Sequence, residues 1–261
     1  MRFLWKKICR CDDRARLSLS MNEWEKILYC ASARPELILK AHGMKRTLKT
    51  RIDPWGTVCL REYNWDFKRR VETLVRKSRG ERIWEYSPVL LAKGIVVQRP
   101  LLFFEKRYAG VLVKTWVATR WLENKVDLGS LAMDTRFRSS RDFSLLLSKG
   151  AEMIARLHDA NFLHGDLKWS NFLLVKDRSE MLLSDLDGIK RSSSRRLKAK
   201  DFARFVLSTF QYDLKEGVAE DLINTYLGAS KDGSGILKRY VENWVSRRKA
   251  HYLNKPLLTD R

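Results

Sequence analysis

The spacing of apolar residues changes character along the chain. Leu17, Leu19, Trp24, Ile27 and Leu28 fall at helical spacing over residues 12–32, and Ser20 or Asn22 can cap the main part of that helix. Short alternating runs follow. Residues 37–40 and 47–52 predict two strands about a turn at His42-Gly43, and Asp53-Pro54-Trp55-Gly56 predicts the next turn. Residues 57–63 are rich in β-forming side chains and predict another strand, as do 95–97, 102–105 and 110–117. Residues 81–92 read as a helix that Pro88 either limits or restarts.

From about Leu128 onward helical spacing dominates. Over residues 148–162, Ile154 and Leu157 lie on one apolar face, and Asn161 can end the helix. Two short apolar runs, 172–175 and 181–184, then predict a hairpin about a polar turn at 176–180. A strand-rich first half and a helical second half predict an α+β chain in two parts.

Composition narrows this picture. With 44% hydrophobic and 11% aromatic residues the chain can build a substantial core, so disorder is excluded. No segment approaches the ~20 apolar residues that span a bilayer. The first ten residues have neither a continuous apolar run nor a small-residue cleavage site, so no secretory signal is expected. Cys9, Cys11, Cys30 and Cys59 lack the paired spacing of a zinc site and read as free thiols of a reducing compartment. The 52 Lys and Arg residues outnumber 31 Asp and Glu, giving a net charge of +21 and a field that favours anionic partners. No zinc-finger, RRM, KH or zipper pattern accompanies the charge, so nucleic acid is not the expected partner. Phe3, Leu4, Trp5 and Ile8 interleave with Arg2, Lys6, Lys7 and Arg10, which suits either a short helix on an anionic leaflet or an arm that is packed on the N-lobe or disordered. The segment from Tyr240 through Trp244 to Lys249 admits the same two readings.

The chemistry is concentrated in one short stretch. His164-Gly165-Asp166-Leu167-Lys168-Trp169-Ser170-Asn171 precedes the predicted hairpin, and Ser184-Asp185-Leu186-Asp187-Gly188 follows it. An Asp at 166 can take a proton from an attacking hydroxyl, and a Lys two residues on can meet the charge of a moving phosphoryl group. An Asn at 171 and an Asp at 185 can hold the magnesium that bridges nucleotide phosphates. This is the spacing of the catalytic and metal loops of protein-kinase-like phosphotransferases. The fold class expected is therefore α+β, two-lobed and protein-kinase-like, with a smaller β-rich N-lobe and a mostly helical C-lobe. Residues 1–35 would form a basic, helical extension, 36–118 the N-lobe and 119–261 the C-lobe.

A longer set of motifs carries a resemblance. Val58-Cys59-Leu60-Arg61-Glu62-Tyr63, Glu81-Arg82-Ile83-Trp84, residues 91–101, Leu157-His158 with Phe162-Leu163-His164-Gly165-Asp166, and Asp185-Leu186-Asp187-Gly188 together resemble the bacterial lipopolysaccharide core sugar kinases, the heptose and Kdo kinases. The resemblance spans roughly residues 40–205. It implies ATP- and Mg2+-dependent phosphorylation of an inner-core sugar hydroxyl, with lipopolysaccharide core or another anionic glycolipid as acceptor. It also implies a cytoplasmic enzyme peripheral to the anionic inner-membrane surface. Carried over by position, Asp166 is the base, Lys168 lies near the transferring phosphate, and Asn171 and Asp185 hold the metal. Asp187 either supports the metal or stabilises the turn, His164 packs within its loop, and Asp201 braces that loop's backbone.

Two positions depart from the kinase pattern. Arg61 stands where a phosphate-binding Lys is expected, with Lys49 and Lys68 as alternatives; Glu81 or Glu85 would be its acidic partner. No glycine-rich phosphate loop is present beyond His42-Gly43. A protein kinase, or a kinase-like pseudoenzyme binding anionic lipid, is the alternative. The basic run from Lys190 to Lys200 would be either a cationic lip for an anionic acceptor or a solvated loop.

Overall fold

A computed structural model describes residues 5–12, 19–175, 180–215 and 217–253. The chain divides into two units, one made of Met1–Pro88 with Gln98–Leu122, the other of Val89–Val97 with Glu123–Arg261. Among the described residues no helix is long and apolar enough to cross a membrane.

The first unit is built on one antiparallel sheet. Its elements are β1 (Trp5–Cys11), α1 (Met21–Ser32), β2 (Ile38–His42), β3 (Lys45–Ile52), β4 (Gly56–Asn64), α2 (Phe67–Glu72), α3 (Arg79–Ala92, of which the residues after Pro88 count with the second unit), β5 (Pro100–Tyr108) and β6 (Val111–Arg120). The strand order is β1-β5-β6-β4-β3-β2. Ser20 caps α1 in a capping box with Glu23, which fixes where that helix starts. Asp12, Leu19 and Ser20 are not helical, so the helix is shorter than expected, and residues 13–18 lie outside the described residues. Trp24, Leu28 and Ala31 recur on one face of α1 and join Leu48, Leu60, Phe104 and Trp116 in a buried cluster on one side of the sheet. Alternation along β4 sends Leu60 to that core and Arg61 to the opposite face.

Three expectations are corrected here. Residues 5–11 form β1, paired with β5 along its length, so the helix-on-leaflet reading fails over 5–10; residues 1–4 lie outside the described set. Cross-strand pairing, a non-local interaction, overrides the helical spacing of Ile8 with its neighbours. Pro88 lies inside α3 and neither ends nor restarts it. Residues 95–97 supply only one isolated bridge, Val97 with Leu183, and form no strand.

The second unit is mostly helical. It contains β7 (Lys125–Asp127), α4 (Leu128–Met133), α5 (Thr135–Arg138), α6 (Arg141–Asp159), β8 (Phe162–Leu163), β9 (Phe172–Val175), β10 (Met181–Leu183), β11 (Lys190–Arg191), α7 (Arg195–Gln211), α8 (Val218–Ala229) and α9 (Gly235–Leu253). β9 and β10 make the expected hairpin, with the turn at 176–179 outside the described residues. The helix before them starts earlier than predicted because Ser140 caps it, and it closes on Asn161 with φ +60°. The basic run after residue 189 is part strand and part helix: Ser194 caps α7, so Arg195 to Lys200 are helical and the loop reading of that stretch is wrong. Leu237, Val241 and Val245 on α9 are buried, so of the two readings of this segment the packed one holds for these residues.

Candidate active site

The loop between β8 and β9 is held from beneath by one carboxylate. Asp201, 4% exposed in α7, accepts from the backbone N–H of His164 at 2.7 Å and of Gly165 at 2.9 Å. Arg204, one turn further along α7, donates to the carbonyl of Gly165. His158 Nε2 approaches Asp201 at 3.5 Å, and its Nδ1 lies 2.7 Å from the Tyr226 hydroxyl. Burial lowers the pKa of His158 and raises that of Tyr226. The hydroxyl therefore donates to Nδ1, and Nε2–H points at the Asp201 carboxylate. Burial by itself would raise Asp201, but the hydrogen bonds it accepts hold it below the usual range as an anion.

His164 is fully buried and works within the loop. Its Nδ1 accepts from the Asp166 N–H at 3.3 Å, and Nε2 donates to the Ser184 carbonyl at 2.8 Å. Trp169, 1% exposed and stacked on Tyr212 at 5.2 Å, anchors the far side of the loop in the core. The side chain of Asp166 is then left outward and 54% exposed, with Lys168 Nζ 3.4 Å from its Oδ2.

The acidic loop after β10 is fastened to the same support. Ser184 donates from both its N–H and its hydroxyl to the Asn171 carbonyl, at 2.8 and 3.0 Å. Asn171, 5% exposed, donates its side-chain amide to the Asp166 carbonyl at 2.7 Å. Asp185 takes the left-handed conformation, φ +55° and ψ +56°, a strained choice for a residue with a Cβ. Gly165 and Gly188 lie back to back: a Cβ on Gly188 would meet the His164 carbonyl at 2.6 Å, and one on Gly165 the Gly188 carbonyl at 2.9 Å. Only glycine allows these two loops so close.

The residues expected on the nucleotide side belong to the first unit. Arg61 lies on β4 opposite Thr47 and Val117, and Lys49 lies opposite Cys59 on the same face. Glu81 and Glu85 lie one turn apart on α3. The Glu85 carboxylate is engaged by Lys77 at 2.5 Å and approached by Arg10 at 3.7 Å, whereas among the described residues Glu81 has no cation within 4 Å of its carboxylate. The side chain of Lys68 falls outside the described set.

Sequence comparison places residues 74–226, more than half of the 261-residue chain, in the lipopolysaccharide kinase (Kdo/WaaP) family. The chain belongs to that family. It is thus a kinase of the lipopolysaccharide type, a phosphotransferase, and the family implies use of ATP. No characterised protein matches at a significant level by sequence. Among solved structures, WaaP in complex with acyl carrier protein superposes with a TM-score of 0.67 at 17% identity, over 94% of this chain and 99% of WaaP. The kinase domain of Mycobacterium tuberculosis PknI gives 0.47 at 14% identity, over 80% of this chain and 93% of that domain. The fold is protein-kinase-like, as the motifs predicted.

Kinases of this kind usually use a divalent metal. The donor chemistry of Asn171 suits one: its amide nitrogen is committed to the Asp166 carbonyl, which leaves Oδ1 as the atom to face a cation. Among the described residues no cluster of three or more His, Cys, Asp or Glu forms an all-protein cage. Magnesium needs none, because one or two protein oxygens with water and nucleotide oxygens complete its shell. The Cys9 thiol is pushed up to about 12 by burial and by Cys11, so it stays protonated and is a poor metal ligand. Sequence reasoning missed Arg204, Tyr226 and the supporting role of His158. His158 was visible in the Leu157-His158 pair, but its partners lie 43 and 68 residues away.

Proposed function

We propose that the chain transfers the terminal phosphoryl group of ATP to a sugar hydroxyl, heptose or Kdo, of the lipopolysaccharide inner core. The observation that supports this most is the outward Asp166 carboxylate beside Lys168, on a loop whose backbone is fixed by buried Asp201. Asp166 orients the acceptor hydroxyl and receives its proton. Lys168 places positive charge where the phosphoryl group develops it. Asn171 and Asp185 hold Mg2+, with Asp187 supporting the metal or its turn; the metal supplies charge neutralisation to the nucleotide phosphates. Arg61 grips nucleotide phosphates as a fork, and Glu81 rather than Glu85 is its acidic partner, because Glu85 is committed to Lys77. The acceptor places the enzyme at the cytoplasmic face of the inner membrane. An acyl carrier protein, the partner of WaaP in its complex, is included as a protein partner.

The test offers ATP and magnesium with dephosphorylated core oligosaccharide or with generic protein substrates. Phosphate on the oligosaccharide is expected. Transfer to protein alone contradicts the proposal, and no transfer with retained nucleotide binding points to a pseudoenzyme.

A further inference from the structure

The segment joining β4 to α3 is amphipathic the wrong way round. Phe67, Val71, Leu74 and Val75 lie at the i, i+4, i+7 and i+8 spacing of one helical stripe, and helical turns continue past α2 through Leu74 N–H to the Val71 carbonyl and Arg76 N–H to the Glu72 carbonyl. A stripe of this kind normally faces a core. Here Phe67 is 81% exposed and Val75 86%, with Leu74 and Val71 also exposed. The side that packs inward is polar: Thr73 is buried, its hydroxyl accepts from the Leu112 N–H at 3.3 Å, and its carbonyl accepts from Arg107 at 3.2 Å. The segment is thus pinned to the hairpin of β5 and β6 with its apolar side turned out.

The charge around the stripe is one-sided. Residues 67–79 contain Lys68, Arg69, Arg70, Arg76, Lys77 and Arg79 against a single acid, Glu72. Beside the stripe opens a cavity of about 400 Å³ lined by Arg76, Lys77, Arg79 and Arg82 against one carboxylate, Glu72, with Trp65 among the others. Elsewhere in the first unit Arg46, Lys106, Arg107 and Lys114 each have a carboxylate within 4 Å. Among the described residues Arg76 and Arg79 have none; Arg79 rests over the Trp65 ring at 5.4 Å.

We infer that residues 67–79 dock on an anionic phospholipid bilayer. Phe67, Val71, Leu74 and Val75 enter the interface, and Arg76 and Arg79 meet lipid phosphates at the cavity beside them. An outward apolar stripe within a basic segment is what interfacial binding requires, and the charge excess selects an anionic surface over a neutral one. The choice of a bilayer rather than a protein rests in part on the reading that the acceptor is a lipid-linked glycan. The binding itself needs no ATP and no acceptor, so it succeeds or fails separately from that reading.

The test is co-sedimentation of the full chain with phosphatidylcholine vesicles, with and without phosphatidylglycerol. Binding is expected only with phosphatidylglycerol and should weaken as salt rises. F67E/V75E should lower the partition coefficient at least about tenfold, since two apolar contacts are lost and two negative charges are set against the anionic surface. F67A/V75A should bind at an intermediate level, which keeps the test valid if the Glu variant folds poorly. L145E, at an exposed leucine on α6, should bind as wild type. Equal vesicle binding by wild type and F67E/V75E overturns the inference. So does a wild-type chain that ignores vesicles but self-associates in sedimentation and loses that association in F67E/V75E, which would make the stripe a contact between copies. Free inorganic phosphate that competes the protein off vesicles without salt-matched chloride doing so would confirm a phosphate site in the cavity. Identical effects of the two anions leave general charge attraction and overturn the phosphate contact.

Discussion

Asp166, on the loop after β8, and His158, on α6, differ in how their side chains are placed. Asp166 is outward, and among the described residues its carboxylate has no partner beyond Lys168. Asp166→Ala should therefore lower turnover at least about 100-fold, the usual worth of a positioned base, while the unfolding midpoint stays near wild type. A coincident loss of stability would mean the carboxylate braces the loop. His158 is the opposite case, buried and uncharged between Tyr226 and Asp201. Its folded pKa lies below the ordinary 6.5, so the unfolded chain takes up the proton first as pH falls. Stability from this group is fully present above about 6.5 and is lost as pH drops below it. Thermal unfolding between pH 7.5 and 5.5 should show that decline, and His158→Gln should flatten it. A decline of equal size in the variant would assign the pH dependence to other groups.

At the scale of elements, the two loops of the site are joined through glycine and through α7. Gly188→Ala puts a Cβ 2.6 Å from the His164 carbonyl. The strain should cost about 1–3 kcal/mol, read by denaturant unfolding, and should reduce activity if the loops of Asp166 and Asp185, between which the clash falls, form the proposed site. Asp201→Asn leaves one of the His164 and Gly165 N–H groups poorly paired and should cost a similar ~1–3 kcal/mol. Unchanged stability in both would show that the loops are held by other contacts. The helix, loop and hairpin around Asp166 were legible in the sequence because each is local: a 3.6-residue period, a capping Asn161 and two short apolar runs. β1, β7 and β11 were not, because their partners lie far along the chain: Trp5 pairs with Tyr108, and Lys190 with Leu163. Pro88 misled for a different reason. It is exposed within α3, where a missing N–H costs less than in a core, and the packing of neighbours such as Ile83 and Leu90 carries the helix through. Asp201 was readable from the resemblance alone; Arg204 and Tyr226 had no local signal at all.

For the whole molecule, kinase family membership and the fold leave the acceptor and the working state of the site as the questions that matter. ATP with magnesium should raise the unfolding midpoint by about 5 °C at ligand concentrations some 100-fold above Kd, because ligand bound only to the folded state stabilises it. No rise would argue against nucleotide binding through Arg61 and the Asn171–Asp185 pair. The excess of 52 basic over 31 acidic residues makes acceptor binding salt-sensitive if the acceptor is anionic. The most direct measurement is mass-spectrometric detection of phosphate on dephosphorylated inner-core oligosaccharide after incubation with the protein, ATP and magnesium. One added phosphate per acceptor, absent with Asp166→Ala, is the predicted result. An unmodified oligosaccharide alongside protein that still binds ATP and phosphorylates a protein substrate would contradict the assignment.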